Sequence, residues 1–153
     1  MTDAKDVDVA VRPAESGDAA SLADLMTQLG YPTRASEMEM RMEVICADKN
    51  YATFVAVSDG KVCGMIGIRI SYSYEHNGPG GAILALVVSE KMRGHGVGEA
   101  LITAAENDLA QKNINRLAVY THFRRTEAHE FYEKLGYTKN GFRLVKELPM
   151  PAD

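Results

Sequence analysis

The sequence predicts an α/β fold, a mixed central β-sheet with helices on both faces. Three observations carry that reading. An apolar run at 83–88 passes through a glycine-rich turn into a long helical pattern, and a second strand-then-helix step follows at 117–135, so crossover connections are required. Asp59-Gly60 joins two apolar runs, a strong signal for an antiparallel hairpin. With 153 residues, 46% of them hydrophobic, the chain can bury one sizeable core. A single domain over 1–153 is expected, with 1–6 and 149–153 frayed.

Val7, Val9 and Val11 alternate with Asp8, Ala10 and Arg12, the period of a strand that Pro13 ends. Asp18 is placed to cap a helix carrying Leu22, Leu25, Met26 and Leu29, which Gly30 closes ahead of Pro32. A second helix begins near 33–36, with Ser36-x-x-Glu39 as a capping box. Met38, Met42 and Ile45 form its stripe, as core side chains or as an adaptable substrate wall. The hairpin strands are 52–57 and 62–70, where Gly64 and Gly67 mark bulges or close packing. The 71–81 segment is a polar, aromatic, glycine-rich loop beside the next strand, a position that often lines a site. Ile83 to Val88 reads as a strand buried on both faces. After the following helix come a strand at 117–120 and a helix at 126–135 that Gly136 ends. Tyr137-Thr138 continues as a strand edge, and Phe142, Leu144 and Leu148 form a final strand.

The most informative stretch is Arg93-Gly94-His95-Gly96-Val97-Gly98, between strand and helix. Glycines at a helix mouth permit a sharp turn and close approach to bare backbone. The first helix amides have no intrahelical acceptor, and the dipole places partial positive charge there. Such a loop suits a phosphate or pyrophosphate, and a plain tight turn is the alternative. The segment is neither a P-loop, which needs Gly-Lys-Ser/Thr, nor the dinucleotide fingerprint G-x-G-x-x-G.

Composition narrows the rest. The net charge of −4 gives no nucleic-acid surface. No apolar run approaches a membrane span, and the N-terminus lacks a signal-peptide core. Cys46 and Cys63 form no framework and are expected as buried thiols, which makes a cytoplasmic setting the default. The histidines lack ligand spacing, so no metal is expected. A homodimer is expected from the general prevalence of such assemblies.

Two stretches resemble one superfamily. Arg93-Gly94-His95-Gly96-Val97-Gly98 is similar to the Arg/Gln-x-x-Gly-x-Gly/Ala signature of the GNAT N-acetyltransferases, and Phe131-Tyr132-Glu133-Lys134-Leu135-Gly136-Tyr137 looks like their second signature. The resemblance covers 7–148. Within the superfamily, 62–67, 86–88 and Arg125-x-x-Ala128-His129-x-Phe131-Tyr132 resemble small-amine members, the aminoalkylphosphonate and aminoglycoside 6′-N-acetyltransferases. It implies acetyl-CoA as donor and a sheet splayed between the 83–88 and 117–120 strands. The pyrophosphate would lie on Arg93, Gly94, His95, Gly96, Val97 and Gly98. The pantetheine arm would lie along Leu86, Val87 and Val88, extending the sheet.

The implied reaction is direct acetyl transfer from a thioester to the primary amine of a small molecule. Tyr132 matches the family's general acid, because a phenol with pKa near ~10 stays protonated at neutral pH. Read without the resemblance, Tyr132 is a half-buried tyrosine on a stripe with Phe131 and Leu135. Many members carry acids on the strand before the loop, reading Gly-Glu-Ile-x-Glu-Leu-Val-Val. This chain has Ala82 and Ala85 there. Glu75 and His76 are the nearest replacement bases, each equally readable as solvated loop polarity, and His122 is a third candidate, in a place where a lone histidine is more often a hydrogen-bonded structural residue. Arg125 stands where many members have Asn, and suits a CoA phosphate or an acidic substrate group. His129 and Lys134 are candidates for supporting Tyr132 and for a phosphate contact. Two other readings stay open: a protein or peptide acceptor, and a non-catalytic CoA-binding regulatory domain.

Overall fold

The computed structural model describes residues 8–120, 126–141 and 143–151. Its elements are β1 (Ala10–Pro13), α1 (Ala19–Leu29), α2 (Ala35–Cys46), β2 (Tyr51–Ser58), β3 (Lys61–Ser71), β4 (Gly80–Val88), α3 (Val97–Gln111), β5 (Leu117–Val119) and α4 (Thr126–Lys134). Single 3-10 turns at Ser16–Asp18 and Glu90–Met92 precede α1 and the glycine-rich loop. The contacts divide the chain into two compact units, Met1–Val119 and Tyr120–Asp153.

The first unit holds a five-stranded sheet in the order β1-β2-β3-β4-β5. The first four strands pair antiparallel, and β4 pairs β5 in parallel, so the sheet is mixed as expected. Pro13, expected to end β1, is its last residue. It is tolerated because β1 is the edge strand of the sheet among the described residues. The Asp59-Gly60 turn has φ of 51° and 73° and sets Ser58 opposite Lys61. Those positive φ values match the right-handed twist of paired strands, which is why Asp-Gly serves there.

The two faces of the sheet bury different groups. Val55, Met65 and Val87 join Leu22, Ala23 and Leu25 of α1 and Met38 and Met42 of α2 in one buried cluster. The methionine stripe is therefore core. On the other face a side chain at Gly64 would begin 3.0 Å from Leu101 Cδ1 and 3.1 Å from Val97 Cγ1, and one at Gly81 2.7 Å from Leu109 Cδ1. Glycine at these positions lets α3 press directly on the strands.

Several local expectations are corrected. Asp18 stands at the start of α1 but makes no side-chain cap. Its carboxylate instead accepts two hydrogen bonds from the Arg12 guanidinium (2.8 and 3.0 Å) and one from the Glu15 amide (2.7 Å). A bidentate charged donor outcompetes a helix amide. The N-cap of α2 is Arg34, whose amide donates to the Glu37 carboxylate at 2.9 Å, and Ser36 and Glu39 stand inside the helix. The helix starts earlier than the Ser36 signal suggests. Cys63 is buried, which pushes its thiol pKa up, whereas Cys46 is exposed at the end of α2. β4 is not buried on both faces: Leu84 is 52% exposed. The described residues between Tyr137 and Pro151 form no strand. Leu144 (93% exposed), Val145 and Leu148 stand in water there, and an apolar alternation makes a strand only where a sheet edge receives it. Phe142 and Val7 lie outside the described residues.

The Arg12–Asp18 pair gives a pH prediction. The hydrogen bonds from Arg12 hold the Asp18 carboxyl below its ordinary range. A depressed folded-state pKa contributes stability that is present above the unfolded-state value and is lost as pH falls through the folded one. We expect Asp18→Asn to be less stable than the parent at pH 7, with the difference shrinking below about pH 4. Urea unfolding at both pH values measures it, and a gap that widens in acid contradicts the assignment.

Candidate functional site

The site is organised by an irregularity in β4. Gly67 pairs with Ala85 and Ile68 with Ile83, so Leu84 is an extra residue on β4 with no partner on β3. A bulge of this kind reverses the alternation of the strand. Before it, the Gly81 amide donates to the Arg116 carbonyl (2.9 Å), so Gly81 and Ile83 face β5. After it, the Ser89 amide donates to Cys63 O (2.8 Å) on the β3 side. Counting back by twos, Val87 and Ala85 also face β3, which leaves the backbone groups of Leu86 and Val88 on the opposite edge. Among the described residues, β5 pairs with Gly81, Ala82 and Ile83, and none pairs with β4 from Leu84 onward on the edge where Leu86 and Val88 point.

Backbone groups at such an edge need partners. Val88 has one: its carbonyl accepts from Arg93 Nε at 3.4 Å. That contact folds the loop back over the strand end. The turn at Glu90–Met92 follows, then Gly94 and Gly96 with φ of 81° and 80°. Both are left-handed, and nothing lies within 4 Å of where their side chains would be. Gly96 is the N-cap of α3 and has no side chain to satisfy the helix amides. The first i−4 bond runs from the Ala100 amide to Gly96 O (3.1 Å). The amides of Val97, Gly98 and Glu99 therefore have no acceptor within the helix.

Side-chain charge near the loop cancels, with Glu90 and Glu99 against Lys91 and Arg93. Attraction for an anion must come from the amides and the α3 dipole. The loop fits a pyrophosphate on these grounds, with open glycine backbone, orphan amides and a helix of 15 residues behind them.

At the other end of β4, the loop between Ser71 and Gly80 carries Tyr72, Tyr74, Glu75 and His76, all exposed. Its C-terminal end is fixed by Arg116, whose Nη2 donates to Gly78 O at 3.0 Å. Ala82 and Ala85 put no acid on the strand between the two ends.

In the second unit, Tyr132 on α4 is 8% exposed. It packs edge-on against Phe131 (ring centroids 5.2 Å apart) and Tyr137 (5.7 Å). His129 is half-buried and Lys134 exposed. His122 and Arg125 lie outside the described residues. The first unit thus joins Leu86–Val88 to Arg93–Gly98 in one continuous feature and holds Glu75 and His76 at the far end of the same strand. Sequence reasoning missed the Leu84 bulge, whose one hint was Gly67 across the ladder. It also missed the Arg116 anchor, for which no motif exists. Among the described residues, no group of three or more His, Cys, Asp or Glu is placed to hold a metal, and no helix is long and apolar enough to cross a membrane.

Comparison with known proteins gives a consistent picture. Residues 20–137 match the model of the Acetyltransferase (GNAT) family. The aminoalkylphosphonate N-acetyltransferase of Salmonella typhimurium is 34% identical over 101 residues, covering 66% of this chain and 66% of that protein. The aminoglycoside N(6′)-acetyltransferase type 1 of Stenotrophomonas maltophilia is 27% identical over 144 residues, covering 92% and 93%. Among solved structures, an aminoglycoside N-acetyltransferase crystallised with CoA superposes with a TM-score of 0.82 at 19% identity, covering 94% of this chain and 96% of that one. That last likeness speaks to the fold alone.

Proposed function

The chain belongs to the GNAT family of acetyltransferases, and from that premise we propose that it moves acetyl from acetyl-CoA to the primary amine of a small molecule by direct attack. One observation carries the reading: the edge at Leu86 and Val88, unpaired among the described residues, leads through a single 3-10 turn into a loop of orphan amides at the α3 N-terminus. An extended, amide-bearing arm ending in a pyrophosphate matches both halves. The arm completes the ladder and the pyrophosphate takes the helix amides. The relatives named for small-amine acetylation support the acceptor class.

The donor then enters from the Val88 end, and its acetyl group reaches the middle of β4. The acceptor approaches from the Gly80 end, beneath the loop that carries Glu75 and His76. The neutral amine attacks the thioester carbonyl and a C–N bond forms. The C–S bond breaks, and the departing thiolate takes a proton from the Tyr132 hydroxyl. With alanines at 82 and 85, the amine proton leaves through His76 or Glu75, directly or by way of water. Arg125 is assigned to a CoA phosphate.

The test is a panel of primary amines, including aminoalkylphosphonates and aminoglycosides, incubated with acetyl-CoA and followed by thiol release and product mass. We expect acetyl-CoA-dependent N-acetylation of at least one small amine. Acetylation of peptides alone would move the acceptor to proteins. Thiol release with no amine would leave only hydrolysis and overturn the proposal.

A further inference from the structure

A side chain distant in sequence holds the lead-in to the glycine-rich loop. Gln28, in the last turn of α1, accepts a hydrogen bond from the Glu90 amide through its Oε1 at 3.0 Å. Glu90 opens the 3-10 turn between β4 and the loop, so its N–H has no acceptor within that turn. The other end of the Gln28 amide is also engaged: Nε2 donates to Asp24 Oδ2 at 2.9 Å, one helical turn back. A carboxylate accepts only, so it selects the NH2 end of the amide and turns the oxygen toward Glu90.

We propose that Asp24 and Gln28 form a positioning relay for the cosubstrate loop, setting the entry angle of the segment that presents the α3 amides to the pyrophosphate. The claim rests on the functional reading above for its ligand and on these two hydrogen bonds for its geometry. The lead-in is then held on three sides. The Ser89 amide is tied to β3, the Glu90 amide to α1, and the Arg93 side chain to the end of β4. Gln28 touches no ligand in this account and acts only through the backbone of Glu90. The relay also explains why a polar side chain occupies this half-buried position beside Leu29.

Gln28→Met keeps the length and apolar stem but cannot accept from Glu90. In the ligand-free protein its Glu90 and Met92 amides, bonded to Gln28 Oε1 and Ser89 O in the parent, are expected to exchange with solvent on the order of fivefold faster for one lost hydrogen bond. The KM for acetyl-CoA is expected to rise by a similar factor, with kcat at saturation unchanged. Asp24→Ala leaves the acceptor but frees the amide to flip, so a smaller change in the same direction is expected. Unchanged exchange at Glu90 and Met92 in Gln28→Met overturns the relay. Faster exchange with unaltered KM overturns its role in positioning the cosubstrate. A wild-type protein that binds no acetyl-CoA defeats the functional reading and the cosubstrate role together, and is told apart from the first failure because exchange is measured without ligand.

Discussion

Tyr132→Phe is expected to lower turnover on the order of 100-fold while leaving acetyl-CoA affinity within about twofold of wild type. The substitution removes one oxygen and keeps the ring. Phe131 and Tyr137 meet Tyr132 edge-on, and a phenylalanine ring satisfies both contacts. The ring packing should therefore be kept, and the loss of activity should fall on kcat. A thiolate leaving without a proton carries its charge into the transition state, and a positioned phenol removes that charge as it forms. Steady-state kinetics beside a thermal melt separate the cases. Unchanged kcat in a folded variant removes Tyr132 from the mechanism. A fall in melting temperature matching the fall in activity assigns it a structural role instead.

Gly96→Glu is expected to weaken CoA binding by roughly 100-fold or more. A carboxylate at the α3 N-cap takes the helix amides that the pyrophosphate would use and adds like charge beside it, and a hundredfold change corresponds to ~2.7 kcal/mol. The strain of a side chain at φ of 80°, about 1–2 kcal/mol, falls on the free and the bound protein alike and so on stability. The fold itself should survive, because nothing lies within 4 Å of the added Cβ. Equilibrium titration with CoA measures the effect. Wild-type affinity in this variant would show that the ligand does not sit on these amides.

Much of this architecture is legible in the sequence, for local reasons. The Asp59-Gly60 turn and the Gly30 helix end are each dictated by a backbone conformation that few residues adopt. The α1 and α2 stripes have the period of a buried face. The glycine-rich loop was legible because its glycines have conformational work to do at 94 and 96. What escaped the sequence depends on partners far along the chain. Asp18 looked like a helix cap because Arg12 is invisible to a local pattern. Cys46 and Cys63 sit in similar apolar runs, yet only Cys63 lies in the interior of the sheet. The apolar alternation near Leu144 predicted a strand, but a strand exists only where another edge accepts it.

The site was half legible for the same reason. Leu86 and Val88 came from family resemblance. Their outward-facing backbone follows from the extra residue at Leu84, which no periodicity announces. Gln28 and Arg116 act through hydrogen bonds to main-chain atoms 62 and 38 residues away. Such contacts leave no mark in composition or spacing.

Residue-resolved amide exchange, with and without acetyl-CoA, tests the central claim most directly. The account predicts saturable protection of the Leu86 and Val88 amides together with those of Val97, Gly98 and Glu99, because one ligand spans the open edge and the helix mouth. No protection in a folded sample, or protection confined to other residues, contradicts it.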